Sequence, residues 1–289
     1  MSSLSTGPPT RPSFGERRSR ADRLAAEQPA AAEALRFYAG LVALQESVVH
    51  ANPRALLDGA AFADALDVDL VARELPGFVS AVVSVAPAQL RTALQGMGRD
   101  PARWRDSIEW HWQESDDRRS RSSVSRLGDP GSSVPGPGIR NPDPESFIVE
   151  ALLQPFAEAA ASRLEVQGAP GARCPVCGAR PVVALLREEA HGARRSLVCG
   201  LCLTEWPTGR IQCQACGETR FERLPVFRAD ELPAARIDAC DACRTYMKTV
   251  DLTKDATAIP AVDDIATLAL DVWARAQGYR RLRPGLLRL

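Results

Sequence analysis

Histidine is scarce: only His50, His111 and His191 occur in 289 residues, and they stand far apart. None has metalloprotease spacing, and neither a nucleophile elbow nor a glycine-rich phosphate loop is present, so the expectation is a protein that is not an enzyme. No run of about 18 apolar residues occurs, which excludes a membrane-spanning helix. Charge of one sign is also lacking, with 36 Lys and Arg against 36 Asp and Glu. A chain without net charge lacks the bulk basic surface that phosphate backbones demand. Aromatic residues make up 6%, yet a hydrophobic fraction of 45% is ample for a core, and the length suits two domains. Met1–Arg20 carries charge and proline where a secretory leader needs an apolar stretch, so a cytoplasmic location is expected.

What the chain does have is eight cysteines, all in four Cys-x-x-Cys pairs: Cys174/Cys177, Cys199/Cys202, Cys213/Cys216 and Cys240/Cys243. Such a pair sits on a tight turn, a knuckle, that aims both sulfurs at one ion. Two knuckles complete a tetrahedral sulfur site. Division in sequence order leaves 21 residues between the first two pairs and 23 between the last two. Both spans fit a ribbon, in which a β-hairpin separates the knuckles. Cys-x-x-Cys-Gly opens each half, at Gly178 and at Gly217, and a knuckle glycine accepts positive φ without a Cβ penalty. Eight cysteines would also permit disulfides, but a reducing compartment favours thiolates on metal.

The fold class expected is α+β: an N-terminal helical bundle, two tandem rubredoxin-like or zinc-ribbon β domains, and a C-terminal helix. Residues 1–20 read as a flexible lead-in, and 21–170 as the helical domain with a loop or linker at 115–142. The ribbons are expected at 171–211 and 212–250, followed by a C-terminal helix and tail at 251–289. In the first ribbon Pro181–Arg187 and Arg195–Val198 read as strands about a turn at His191-Gly192. In the second, Phe221–Phe227 and Ala235–Ile237 do so about Asp230–Pro233, and Leu203–Gln212 links the halves.

Between Ala21 and Arg99 apolar residues recur three and four apart, as at Leu35, Tyr38, Ala39, Val42 and Ala43, the period of amphipathic helices. Pro29, Pro53, Pro76 and Pro87 read as helix boundaries. Asp58, Asp64, Asp67 and Asp69 suit a solvated face better than a metal site, since no histidine lies among them. Trp104, Trp110, His111 and Trp112 fit a small helical core better than an exposed anchor. Asp143 and Pro144 resemble a helix start, running to about Leu164 with a bend near Pro155. Val262–Gln277 reads as one helix with Ile265, Leu268, Val272 and Trp273 facing inward.

Four sulfurs around an ion leave no open position for water or substrate, so hydrolytic Lewis-acid chemistry has no place. Spacing alone leaves iron and zinc both open, and iron would add one-electron chemistry. Between Gly171 and Val250 there are twelve Lys and Arg against nine Asp and Glu. Two tetrathiolate sites holding divalent ions would each add about two negative charges. A zinc-ribbon nucleic-acid-binding protein is therefore disfavoured, Arg194-Arg195 offering only a local patch.

Arg173-Cys-Pro-Val-Cys-Gly, Leu197-Val-Cys-Gly-Leu-Cys-Leu-Thr-Glu-Trp206, Cys213-Gln-Ala-Cys-Gly and Cys240-Asp-Ala-Cys-Arg-Thr-Tyr-Met-Lys248 together resemble the FdhE formate dehydrogenase accessory proteins. Leu35-Arg-Phe-Tyr-Ala-Gly-Leu-Val-Ala-Leu-Gln45 is similar to that family's helical opening, and Asp263–Asp271 with Gly278-Tyr-Arg280 to its end. The resemblance implies a cytoplasmic maturation factor that binds the catalytic subunit of formate dehydrogenase. It also implies two rubredoxin-like sites on the eight cysteines, which favours iron, with zinc the alternative. A rubredoxin-type electron carrier is the competing reading, and the sequence leaves a homo-oligomer open.

Overall fold

The structure, a computed structural model, describes residues 11–59, 61–97, 101–113, 144–164, 171–189 and 192–287. The first part is helical: α1 (Phe14–Glu27), α2 (Ala32–Ala51), α3 (Val68–Val85), α4 (Ala88–Gln95), α5 (Pro101–Gln113) and α6 (Pro144–Arg163). Helix α6 is buried on all its faces between Phe147 and Ala161, mostly through apolar residues, with Gln154 and Glu158 enclosed among them. That makes it the axis on which α2 and α5 pack. The expected linker at 115–142, Asp143 and His191 lie outside the described residues.

Order begins earlier than the expected boundary at Ala21. Ser13 caps α1, its hydroxyl accepting from the Glu16 amide at 3.2 Å while the Glu16 carboxylate accepts from the Ser13 amide at 2.7 Å. Two termini donors are thereby satisfied reciprocally. Arg17 and Arg20 are buried. The arginines that made this stretch read as solvated instead meet carboxylates from distant parts of the chain, Glu158 and Asp263.

Prolines also behave individually. Pro29 and Pro53 open short 3-10 turns and Pro87 precedes α4, but Pro76 lies inside α3. Val71, Ala72, Leu75, Phe78 and Val82 form one buried stripe across it, so packing holds the helix through the missing donor. Helix α6 likewise runs through Pro155. Asp67 caps α3 by accepting from the Leu70 amide, and Asp69 pairs with Arg105 at 2.6 Å. Trp104 and Trp112 are buried, with Trp112 stacked on Phe62 at 4.4 Å, whereas Trp110 is half exposed.

The second part contains β1 (Pro181–Glu189), β2 (Gly192–Cys199), β3 (Glu205–Pro207), β4 (Val226–Arg228), β5 (Ala235–Cys240), β6 (Thr245–Asp251) and β7 (Arg280–Arg281). The two tandem ribbons pack together by sharing one sheet, with strand order β3-β2-β1-β6-β5-β4 and β7 also on β6. The seam is a parallel pairing of β1 with β6, Val183 opposite Lys248 through Leu186 opposite Asp251. Each half is a three-stranded antiparallel unit, and the first strand of one meets the third strand of the other. Residues 221–223 form a 3-10 turn where a strand was expected, and the expected linker contains β3.

The C-terminal segment forms two helices, α7 (Pro260–Ala266) and α8 (Leu268–Ala276), not one. Lys248 donates to the Asp264 carbonyl at 2.5 Å, taking an acceptor that a continuous helix would use for Leu268. The break re-phases α8. Leu270, Asp271 and Ala274 therefore face the sheet, while Val272 and Trp273 are exposed, contrary to the expected inward face.

Candidate metal centres

All four knuckles turn in the same way. The residue after each second cysteine has positive φ: Gly178 at 71°, Leu203 at 53°, Gly217 at 79° and Arg244 at 54°. Two knuckles use glycine, as the sequence suggested. The other two hold an ordinary residue in the left-handed region through its side chain, Leu203 by burial and Arg244 by stacking on Tyr279 and bonding the Gln277 carbonyl.

The turns gather the sulfurs into two groups, Cys174, Cys177, Cys199 and Cys202, then Cys213, Cys216, Cys240 and Cys243, each with all ligand atoms within 4.8 Å. Sulfur separations across knuckles are 3.3 Å for Cys177 to Cys199, 3.6 Å for Cys174 to Cys202, and 3.7 Å for both Cys213 to Cys243 and Cys216 to Cys240. A tetrahedron with metal–sulfur bonds of 2.3 Å has edges of about 3.8 Å. The spacing is thus close to that of a closed tetrathiolate site and far too long for a disulfide. All eight thiols are unbridged.

Local amides complete the donor pattern. Leu201 and Cys202 amides donate to the Cys199 sulfur at 3.3 and 3.4 Å, and the Ala215 amide to the Cys213 sulfur at 3.4 Å. Such bonds stabilise a thiolate and tune any metal it holds. Burial pushes the Cys177, Cys213 and Cys240 thiols above their ordinary range. Filling the cages with a cation therefore entails release of protons.

The two clusters differ in setting. The first has four buried cysteines and belongs to the main hydrophobic core, continuous with α2 and α6. Arg11 donates to the Thr204 hydroxyl at 2.6 Å, and that hydroxyl lies 3.1 Å from the Cys202 sulfur. In the second cluster Cys216 is exposed and Cys213 and Cys243 are half-buried. It stands at the far side of the sheet, outside the main core.

Buried charge locks this second half to the C-terminal helices, and local sequence gave no sign of it. Lys248 lies 3.1 Å from the Asp264 carboxylate and also pairs with Asp271; Arg281 pairs with both, and Tyr246 donates to Asp271 at 2.7 Å. Burial works against the Asp264 carboxylate, but Arg281 and Lys248 prevail and hold it below its ordinary value. Arg195, expected in an exposed basic patch, is buried and bonds Asp238 at 3.1 Å. The two adjacent arginines of β2 could not identify the Arg195 partner, 43 residues away on β5.

Comparison with known proteins gives a consistent picture. Residues 173–210 match the family model described as FdhE, central domain, and residues 211–287 that described as FdhE, C-terminal domain. The chain is 36% identical over 137 residues to a protein FdhE homolog of Aquifex aeolicus, covering 46% of this chain and 48% of that protein. It is 34% identical over 121 residues to the homolog of Pseudomonas putida, covering 40% and 38%. The matched part thus spans about half the length of these curated relatives or less. The crystal structure of the FdhE protein from Pseudomonas aeruginosa aligns over 97% of both chains with a TM-score of 0.66 and 25% identity.

Proposed function

We propose that this chain, which belongs to the FdhE family, is an accessory protein in formate dehydrogenase maturation and binds the catalytic subunit of that enzyme in the cytoplasm. The observation that carries this reading is the closure of both clusters: four sulfurs at tetrahedral spacing leave an ion no position for substrate. A chain built around such sites acts by presenting a surface, not by turning over a substrate. The eight cysteines are the ligands, and the resemblance favours iron over zinc.

The role of the two sites follows from their settings. The first ties the sheet to the helical bundle through the main core. The second shapes the outer end of the sheet. A rubredoxin-like electron carrier is the competing reading, favoured by exposed Cys216, since a sulfur at the surface shortens the path for an electron. Reversible bleaching on reduction would support it, and a colourless zinc protein would exclude it.

The test is co-purification of the full chain with the formate dehydrogenase catalytic subunit, together with metal analysis. Two ions per chain and a stable complex are expected, with Cys174→Ser and Cys240→Ser each losing metal and client binding. Metal-free protein that binds and activates the client fully would overturn the proposal.

A further inference from the structure

Beside the second cluster lies a groove of about 110 Å³ with Cys213 and Cys240 in its wall. That volume is several times what one water needs. Three side chains in its lining, Phe221, Ile211 and Val226, are 72%, 53% and 47% exposed. Among the described residues they account for three of eight exposed large hydrophobics, so the apolar surface is concentrated here.

Positive charge accompanies it. Arg195, Arg210 and Arg236 line the same groove, where Asp238 supplies the carboxylate. Asp238 is shared by Arg195 at 3.1 Å and Arg236 at 2.8 Å, and Arg210 is exposed with no carboxylate partner among the described residues. The three guanidinium groups exceed that carboxylate by two, which offsets the roughly two negative charges a tetrathiolate site holding a divalent ion brings to the same wall, and Arg210 is the cation left open at the rim. Arg195 is 3% exposed, and its Nε has no hydrogen-bond partner among the described residues. A buried guanidinium donor left unused beside a cavity is costly unless an acceptor arrives.

Together these features define the occupant. The open Arg210 guanidinium and the unused Arg195 donor call for a carboxylate, while the exposed apolar rim calls for side chains on either side of it. A small anion would satisfy the first and leave the second uncovered. Strand β4, three residues long at the end of the sheet, borders the groove and can align an extended chain. We infer that this groove docks an extended segment of the client protein in which an acidic side chain is flanked by apolar ones. The inference rests on the reading that the chain binds the formate dehydrogenase catalytic subunit, and it identifies the surface used.

The experiment measures binding of that catalytic subunit to the full chain and to Arg210→Glu and Phe221→Ser, both at exposed positions. Leu57→Ser, a comparably exposed apolar site on the helical part, is the control. Metal content is measured in parallel to show that the second cluster is retained. Each groove variant is expected to raise Kd about tenfold or more, and the control to leave it within about twofold. A photo-crosslinker at Val226 is expected to capture a client segment containing Asp or Glu. If the unaltered chain binds but both groove variants bind as tightly, the groove is wrong and the proposed function stands. If the unaltered chain does not bind at all, the reading beneath the inference fails and the inference with it. Capture of a segment without an acidic residue would also overturn it.

Discussion

Replacing Lys248 by Met tests the buried charge network most directly. Lys248 and Arg281 face Asp264 and Asp271, so the four groups balance. All four are almost fully enclosed. Methionine keeps most of the length of the side chain but leaves two buried carboxylates to one guanidinium. Removing one partner of a buried pair costs about 3–5 kcal/mol. With a urea m-value of about 2–3 kcal/mol/M, the midpoint should fall by roughly 1–2.5 M, read by circular dichroism. Adding Asp271→Asn restores neutrality and preserves an acceptor for the Tyr246 hydroxyl, so the double variant should recover part of the loss. The Asp264 carboxyl is held below its ordinary value, so its stabilisation is present above the unfolded value, about 3.9, and is lost as pH falls through the folded one. Lys248→Met should shift that acid loss to higher pH. A stability within about 0.5 kcal/mol of the original, or a double variant no better than the single, would refute the network's role.

Other expectations follow from the contrast between clusters. Chelator titration should remove the ion at the second cluster first, because Cys216 is exposed whereas the first cluster is wholly buried; simultaneous release would contradict this. Cys174→Ser should lower the melting temperature more than Cys216→Ser, although each removes one ion, since only the first cluster belongs to the main core. Equal melting temperatures would show the core packs without the metal. Gly217→Ala meets no atom within 4 Å, so its cost is the left-handed backbone alone, about 1–2 kcal/mol. Metal competition should report that cost at the second cluster, and an unchanged affinity would mean the knuckle tolerates another φ.

The knuckles were legible because their chemistry is local. Two sulfurs three residues apart and a glycine after the second specify a turn whatever surrounds it, and Gly178 and Gly217 have the positive φ this requires. The hairpin strands at Pro181 and Ala235 and helix α6 also followed from short-range pattern. Several of the differences originate in charge. Arg17 and Arg20 looked like solvated residues of a loose lead-in, and nothing in the local pattern marked Asp263 and Asp264 as members of buried ion pairs. All four are buried because their partners come from far along the chain.

From the residues alone came the number of sulfur cages, their members and the helical character of the first part. Each depends on spacing within a turn or a few turns, where covalent geometry limits the choices. Only the folded chain decided that the two ribbon halves share a sheet through parallel β1 and β6, and that one cage lies in the core while the other stands beside an open groove. Those outcomes depend on which distant surfaces and charges meet. A linear pattern holds each partner's chemistry but not the pairing between them.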